Sequence, residues 1–221
     1  MTSMTRGVYF DLAKLEPRER YKLLIGLVVP RPIALVTTVS RAGVVNTAPY
    51  SFFNMFSENP AVVVIGIDAR PDGSMKDSAK NARETGVFVV NLVDEGLAAA
   101  MNDCAVDFPP ETSETGMLGL PLAAGIHVSV PHLVDAPAAL ECRKMMMINI
   151  GPDRELLIGE VVGVQVRSGI VDRDRLRVDF DAYKPVGRLA GSLYARQHDR
   201  FELARESLSE WTRRTGGPSE D

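Results

Sequence analysis

Residues 31–54 read RPIALVTTVSRAGVVNTAPYSFFN, and this stretch decides the fold. Ile33–Val39 is short, apolar and β-branched, the composition of a buried strand. Arg41-Ala42-Gly43 supplies a turn and Val44–Ala48 returns, so the two read as a hairpin. Upstream, Glu19–Val29 has helical composition and stops before Pro30 and Pro32, because a proline pushes its predecessor out of the helical region. Downstream, Pro49 to Pro60 reads as a loop rich in aromatics and asparagine, and Ala61–Ile67 as a third strand.

The same reading extends along the chain. Met75–Glu84 is predicted helical, Val87–Val93 a central strand and Glu95–Asn102 a short Ala-rich helix. Asp107–Pro131 is broken by prolines and glycines and is expected to be irregular. Ala138–Ile150 and Glu155–Val166 are two long strands joined through Gly151-Pro152-Asp153, while Arg173–Tyr183 is ambiguous. His198–Trp211 is predicted as an amphipathic helix with Phe201, Ala204, Leu208 and Trp211 along one stripe. Strands in hairpins with few helices predict a mainly β protein with peripheral helices, built as an antiparallel barrel. No GxGxxG follows a strand, which argues against a doubly wound dinucleotide fold.

Composition bounds the function classes. The chain has 221 residues, a formal net charge of -4, 45% hydrophobic and 24% charged residues. That balance excludes a disordered chain, a coiled coil and a collagen-like fibre. At roughly 100–200 residues per domain it fits one domain, expected over residues 1–214, with residues 215–221 as a disordered Gly/Pro/acidic tail. The mild acidity argues against nucleic-acid binding. Cys104 and Cys142 form no CxxC pair, and His127, His132 and His198 show no metal-ligand spacing, so no metal is expected. The first seventeen residues lack the apolar core of a signal peptide. No apolar run approaches the ~20 residues that cross a bilayer. The expectation is a cytoplasmic protein with no membrane partner.

Within the last hairpin, a turn about Pro152 sets Ile148 opposite Leu156, Met146 opposite Ile158, Cys142 opposite Val162 and Leu140 opposite Val164. All eight are apolar and fall on one predicted face. The same register sets Lys144 opposite Glu160, either as a cross-strand ion pair or beside a ligand.

Two clusters carry candidate chemistry. Asn46 to Asn54 ends a strand in small residues, hydroxyls and aromatics. Such a loop lets the backbone approach a flat ring, and would equally plug a barrel end. Ser74 and Asp77 match the S-x-x-D capping pattern, placing a helix N-terminus there. Free N–H groups and Lys76 at that end would attract a phosphate, although a capped surface helix accounts for the same residues.

In this order, RPIALVTTVSRAGVVNTAPYSFFNMFSENPAVVVIGI (31–67), KDSAKNARETGVFVVNLV (76–93) and GRLAGSLYAR (187–196) resemble the flavin reductase-like family, with its FMN-binding antiparallel split β-barrel, and its flavoredoxin-like branch in particular. The resemblance spans roughly Tyr21 to Ala195. It implies a homodimer with FMN held non-covalently near the interface. It assigns Ala48, Pro49, Tyr50, Ser51, Phe52 and Asn54 to the ring and ribityl chain. Lys76, Asp77, Ser78 and Asn81 fall to the phosphate, Arg31 and Thr37 to nearby support. Arg188, Gly191 and Tyr194 match an R-x-x-G-x-x-Y pattern that closes the site, from the same or the neighbouring subunit. Ser78 departs from the more usual threonine and keeps the hydroxyl. The implied activity is an NAD(P)H-dependent flavin reductase that uses NADH or NADPH and serves a monooxygenase or other electron acceptor. No side chain is named as catalytic, because hydride chemistry resides in the flavin. An FMN-binding electron carrier without a nicotinamide site, or a flavin-free use of the barrel, stands beside that reading.

Overall fold

The computed structural model describes residues 7–109 and 112–216. Helix α1 (Pro17–Leu27) precedes strands β1 (Ala34–Val39), β2 (Val45–Tyr50), β3 (Phe53–Glu58) and β4 (Ala61–Asp68). Helix α2 (Asp77–Thr85) leads to β5 (Val87–Leu92), then α3 (Ala98–Asp103) and α4 (Glu114–Leu118). The short strands β6 (Leu122–Ala123) and β7 (His132–Leu133) pair with each other before the long strands β8 (Ala138–Asn149) and β9 (Arg154–Val166). The chain ends in β10 (Val171–Asp172), β11 (Arg177–Val178), α5 (Phe180–Tyr183), β12 (Val186–Arg188), β13 (Tyr194–Arg196) and α6 (Leu208–Thr215).

Seven strands form one antiparallel sheet in the order β2-β1-β5-β8-β9-β4-β3. Its two outermost strands, β2 and β3, are joined by Ser51 and Phe52 alone, so the sheet curls back on itself. The Gly66 N–H donates to the Phe52 carbonyl at 2.6 Å and ties that corner to β4. A Cβ on Gly66 would lie 3.1 Å from the Phe52 Cβ, so the glycine permits this close approach. The curled sheet and its few helices are the split barrel expected from the sequence.

The barrel interior holds Ala34, Val36, Ile65, Ile67, Phe88, Val90, Cys142 and Leu157. The other face of β1 and β5 is covered in turn: Leu35 and Val93 meet Leu97, Met101, Leu133 and Val186. Burial on both faces explains why Ile33–Val36 is an uninterrupted apolar run rather than an alternating one.

Several expectations need correction. Residues 53–58, read as loop, form edge strand β3, whose side chains are mostly exposed and so lack the alternation that marks a strand. Ser74 does not cap α2. Its hydroxyl and N–H both donate to Asp72 Oδ1 in a turn, and Lys76 takes the N-cap position. Of the predicted C-terminal helix His198–Trp211 only the end from Leu208 is helical, because the Ser207–Glu210 capping box starts α6 there, and α6 then runs past the predicted end to Thr215. Upstream, Phe201 and Leu203 are exposed, and apolar periodicity without a packing surface does not sustain a helix. Of the expected tail, Thr215 closes α6 and Gly216 caps it, so these two belong to the helix; residues 217–221 lie outside the described residues.

The predicted register of the β8–β9 hairpin holds at Leu140–Val164, Met146–Ile158 and Ile148–Leu156 and slips by one residue between them. Irregularities at Glu141/Cys142 and Lys144/Met146 set Cys142 opposite Val161 and Lys144 opposite Gly159. No Lys144–Glu160 pair forms; Lys144 Nζ donates instead to the Arg83 carbonyl at 2.7 Å, at the C-terminal end of α2. The second irregularity also exchanges faces. Leu140, Cys142 and Met147 belong to the barrel core, whereas Met146 and Ile148 are exposed.

The described residues of Asp107–Pro131 are irregular except for α4 and β6, and the segment is anchored by one buried carboxylate. Glu141, 1% exposed, accepts from the N–H groups of Ile126, His127 and Val128. Burial alone would push this carboxyl up, but the three N–H donors together hold it below the usual glutamate range. A group with a depressed folded-state pKa stabilises fully above its unfolded value and loses that contribution as pH falls through the folded value. Glu141→Ala is therefore expected to cost about 2–4 kcal/mol by leaving buried donors unpaired, read by urea unfolding at pH 7. Glu141→Gln is expected to lose part of the wild type's acid sensitivity below about pH 4. A second test concerns Gly159, where a Cβ would lie 2.4 Å from Phe88 Cζ in the filled interior. Gly159→Ala should destabilise by about 1–3 kcal/mol, and an unchanged melting temperature would contradict that packing.

Candidate functional site

Strand β2, the N-terminal end of α2 and the segment after α3 converge on a cavity of about 120 Å³. From β2 come Asn46, Ala48, Pro49 and Tyr50; from α2 and its approach come Arg70, Lys76, Asp77 and Ser78. Cys104–Phe108 and Glu114 form the opposite wall. Here charges meet in pairs. Arg70 Nη2 lies 2.7 Å from Asp77 Oδ2, with Arg70 also donating to the Met75 carbonyl. Lys76 Nζ lies 3.0 Å from Asp68 Oδ1 and 5.9 Å from the centre of the Tyr50 ring.

Beneath this surface is a buried polar row. Ser78, Asn46 and Glu114 are all less than a tenth exposed. The Asn46 amide that satisfies both of its ends donates from nitrogen to Glu114 Oε1 at 3.2 Å and accepts from Ser78 Oγ at 2.8 Å. The Thr47 N–H donates to Glu114 Oε2 at 2.7 Å. Burial, opposed by the Thr47 N–H and reinforced by Asp77, raises the Glu114 carboxyl above the usual range. Cys104 across the cavity is pushed up to about 12 by burial, with Glu114 and Asp103 adding to it. The Tyr50 phenol is raised as well, chiefly by burial, the neighbouring Ser78 hydroxyl acting against it.

A second cavity of about 310 Å³ adjoins the first at Pro49, Tyr50 and Ala105. Its far side is made by Arg31, Ser51, Arg188, Gly191 and Tyr194, with Tyr21 of α1 at the rim. Arg188 stacks 4.4 Å from the centre of the Tyr194 ring and donates to the Gly191 carbonyl at 2.5 Å. Arg31 is turned to structural work: it donates to the carbonyls of Ile25, Val28 and Leu189 at 2.7–2.9 Å, holding α1 and the segment after β12 together. One chain supplies Arg188, Gly191 and Tyr194 to this cavity without a neighbouring subunit.

Four residues assigned by sequence lie elsewhere. Thr37 is fully buried and accepts from Asn91 Nδ2 at 2.6 Å. Asn81 donates to Thr38 Oγ1 at 3.1 Å and lines a separate cleft with Lys80 and Arg41. Asn54 accepts from the Met55 N–H and, like Phe52, lines an apolar groove of about 700 Å³ between α1, β3 and the β8–β9 hairpin. Conversely, sequence reasoning missed Arg70, Glu114 and the Cys104–Phe108 wall. Arg70 sits in a plain turn, and Glu114 follows a break of prolines and carries no motif.

The donor set fits a flavin mononucleotide. Tyr50 lines both cavities, and its buried hydroxyl lies beside Ser78 without closing a well-formed hydrogen bond to it or to any other described residue, an unsatisfied group that a ligand would satisfy. Lys76, Ser78 and the α2 N-terminus offer charge and donors to a phosphate at one end. The second cavity offers tyrosine rings, arginine and backbone to a planar ring at the other. Among the described residues no group of three or more His, Cys, Asp or Glu is placed to hold a metal, and no helix is long and apolar enough to cross a membrane.

Comparison with known proteins agrees with this architecture. Nitrilotriacetate monooxygenase component B from Bacillus cereus superposes with a TM-score of 0.85 at 36% identity, covering 89% of this chain and 98% of that one. The 2-nitrobenzoate 2-nitroreductase of Pseudomonas fluorescens gives 0.84 at 38% identity over 91% and 98%. Flavoredoxin of Desulfovibrio vulgaris, at 20% identity and a TM-score of 0.67 over 82% and 93%, shares the fold. The flavin reductase like domain model matches residues 26–187, the span that contains the barrel and the first cavity, and the chain belongs to that family.

Proposed function

We propose that this protein binds FMN across the two adjoining cavities and works as an NAD(P)H-dependent flavin reductase that passes reduced flavin or electrons to a partner oxygenase. The observation that carries the reading is the orphaned Tyr50 hydroxyl at the junction of a cation-bearing cavity and a ring-lined one. The likeness of 89% of the chain to a monooxygenase component supports the partner. FMN, when bound, supplies the hydride and electron chemistry. The chain's own part is to hold and orient: Lys76 and Ser78 at the phosphate, Ala48–Ser51 along the ring, Arg188 and Tyr194 at its far edge. Phe52 and Asn54 belong to the groove side, and Thr37 and Asn81 support the walls from within. No side chain needs to transfer a proton for a hydride to arrive. Two buried free cysteines and the absence of any disulfide among the described residues agree with a cytoplasmic setting.

The apolar groove is where we place a second copy of the chain. Leu24, Val28, Phe52, Phe56, Leu156 and Ile158 line it, with Phe56 68% exposed, and a lone soluble protein rarely leaves so large an apolar surface open. Light scattering should give about twice the chain mass, and Phe56→Glu should shift it toward the monomer.

The purified protein should show a flavin absorption spectrum, or acquire one on addition of FMN, and bleach with NADH or NADPH in the absence of air. A flavin spectrum that neither nicotinamide bleaches would replace the reductase with an electron carrier. Lys76→Ala should weaken FMN binding by about 1.5–3 kcal/mol through loss of a charge-assisted contact. An unaltered titration would remove Lys76 from the site.

A further inference from the structure

The buried row Glu114–Asn46–Ser78 has a direction, and the direction depends on one proton. With Glu114 ionised, its oxygens only accept, so the Asn46 amide must point its nitrogen at Glu114 and its oxygen at Ser78. The single Ser78 hydroxyl proton is then spent inward on Asn46, and only lone pairs face the cavity. With Glu114 protonated, its O–H donates to the Asn46 oxygen, and the amide turns over. Its nitrogen then donates to Ser78 Oγ across the same 2.8 Å, which frees the Ser78 proton for the cavity. In both states the Thr47 N–H stays bonded to Glu114 Oε2.

We propose that Glu114 is a positioning residue that couples FMN binding to uptake of one proton, switching Ser78 from acceptor to donor as the phosphate enters. The inference rests on the FMN reading above. No covalent bond other than the Glu114 O–H forms, and the proton comes from solvent.

Charge at the cavity favours that uptake. Its lining carries two cations, Arg70 and Lys76, against three carboxylates, Asp77, Asp107 and Glu114. Asp77 is held by Arg70 and Lys76 is shared with Asp68. A phosphate dianion therefore enters a site whose charge is already negative unless a carboxylate is neutralised. Asp107 is exposed to solvent, and Asp77 is paired; Glu114 is the buried one, and no cation among the described residues pairs with it. Tyr50 and Cys104, which also face Glu114, are held neutral by burial, and burial disfavours the charged carboxylate in the same way. The arrangement also gives a role to the wall after α3, whose far end Glu114 fastens to β2.

The test is FMN affinity against pH from 6.5 to 8.5 in the wild type and in Glu114→Gln, measured by flavin fluorescence. A glutamine holds the row in its protonated direction, with its amide donating to Asn46 and its oxygen accepting from Thr47. The wild type should lose affinity as pH rises, by up to about tenfold per unit. Glu114→Gln should be flat and, at pH 8.5, bind FMN more tightly than the wild type. Comparing the two cancels the phosphate's own titration near pH 6. Riboflavin, which lacks the phosphate, should show no difference between them. Parallel profiles, or Glu114→Gln weaker than the wild type at every pH, would overturn the proposal and leave Glu114 as a wall residue. Should the variant fail to fold, calorimetry of the wild type in two buffers of different ionisation enthalpy at pH 7.5 decides the same point. Proton uptake with FMN and none with riboflavin supports the relay, and equal uptake overturns it. A wild type that binds no FMN at any pH defeats the functional reading itself, an outcome distinct from FMN binding without proton uptake.

Discussion

The rest of the structure depends on the corner at Ser51 and Phe52. Two residues carry the chain from one edge of a seven-stranded sheet to the other, so the covalent backbone does what edge-to-edge pairing does in a fully closed barrel. The Gly66 N–H to Phe52 carbonyl bond holds the corner down. That closure also distributes side chains. Tyr50 is delivered to both cavities, Ser51 to the second cavity and the groove, and Phe52 to the groove alone. Three consecutive residues thus reach three surfaces because the backbone turns sharply between them.

Arg31 complements the corner from outside the barrel. Its guanidinium is committed largely to the fold, donating to the carbonyls of Ile25 in α1, Val28 just after it and Leu189 in the segment after β12. A cation placed to meet hydrogen-bond acceptors in a buried position is stable there only while those acceptors stay. Helix α1, which presents no buried residue, is therefore held more by this one side chain than by apolar packing.

The sequence was most informative where burial is two-sided or alternating. The strands at 34–39, 61–68, 87–92 and 138–166 carry their apolar pattern openly, and short motifs pointed to the β2 and α2 sides of the first cavity but not to the wall opposite them. It was least informative where structure is imposed by neighbours. Strand β3 is an exposed edge and reads as loop because, Phe53 apart, its apolar side chains stay out of the core. Ser74 satisfies the spelling of a cap, yet Asp72 two residues earlier captures it first. Thr37 and Asn81 sit beside site residues in the chain, but strand alternation and helix phase turn them inward. Glu114 is invisible to motif reading, since its significance arises only when a distant segment folds onto Asn46 and Thr47.

The irregularity between Lys144 and Met146 has a consequence for how this hairpin changes over time. On either side of it the parity of inward and outward positions is opposite, so Leu140 and Cys142 share a face with Met147 and not with Met146. An insertion or deletion of one residue there would not merely lengthen or shorten a loop. It would trade the barrel-facing set for the solvent-facing set along the whole distal half of the strand. Substitutions in relatives should accordingly follow even positions in one half and odd positions in the other, and an alignment that ignores the phase jump would compare core residues with surface ones.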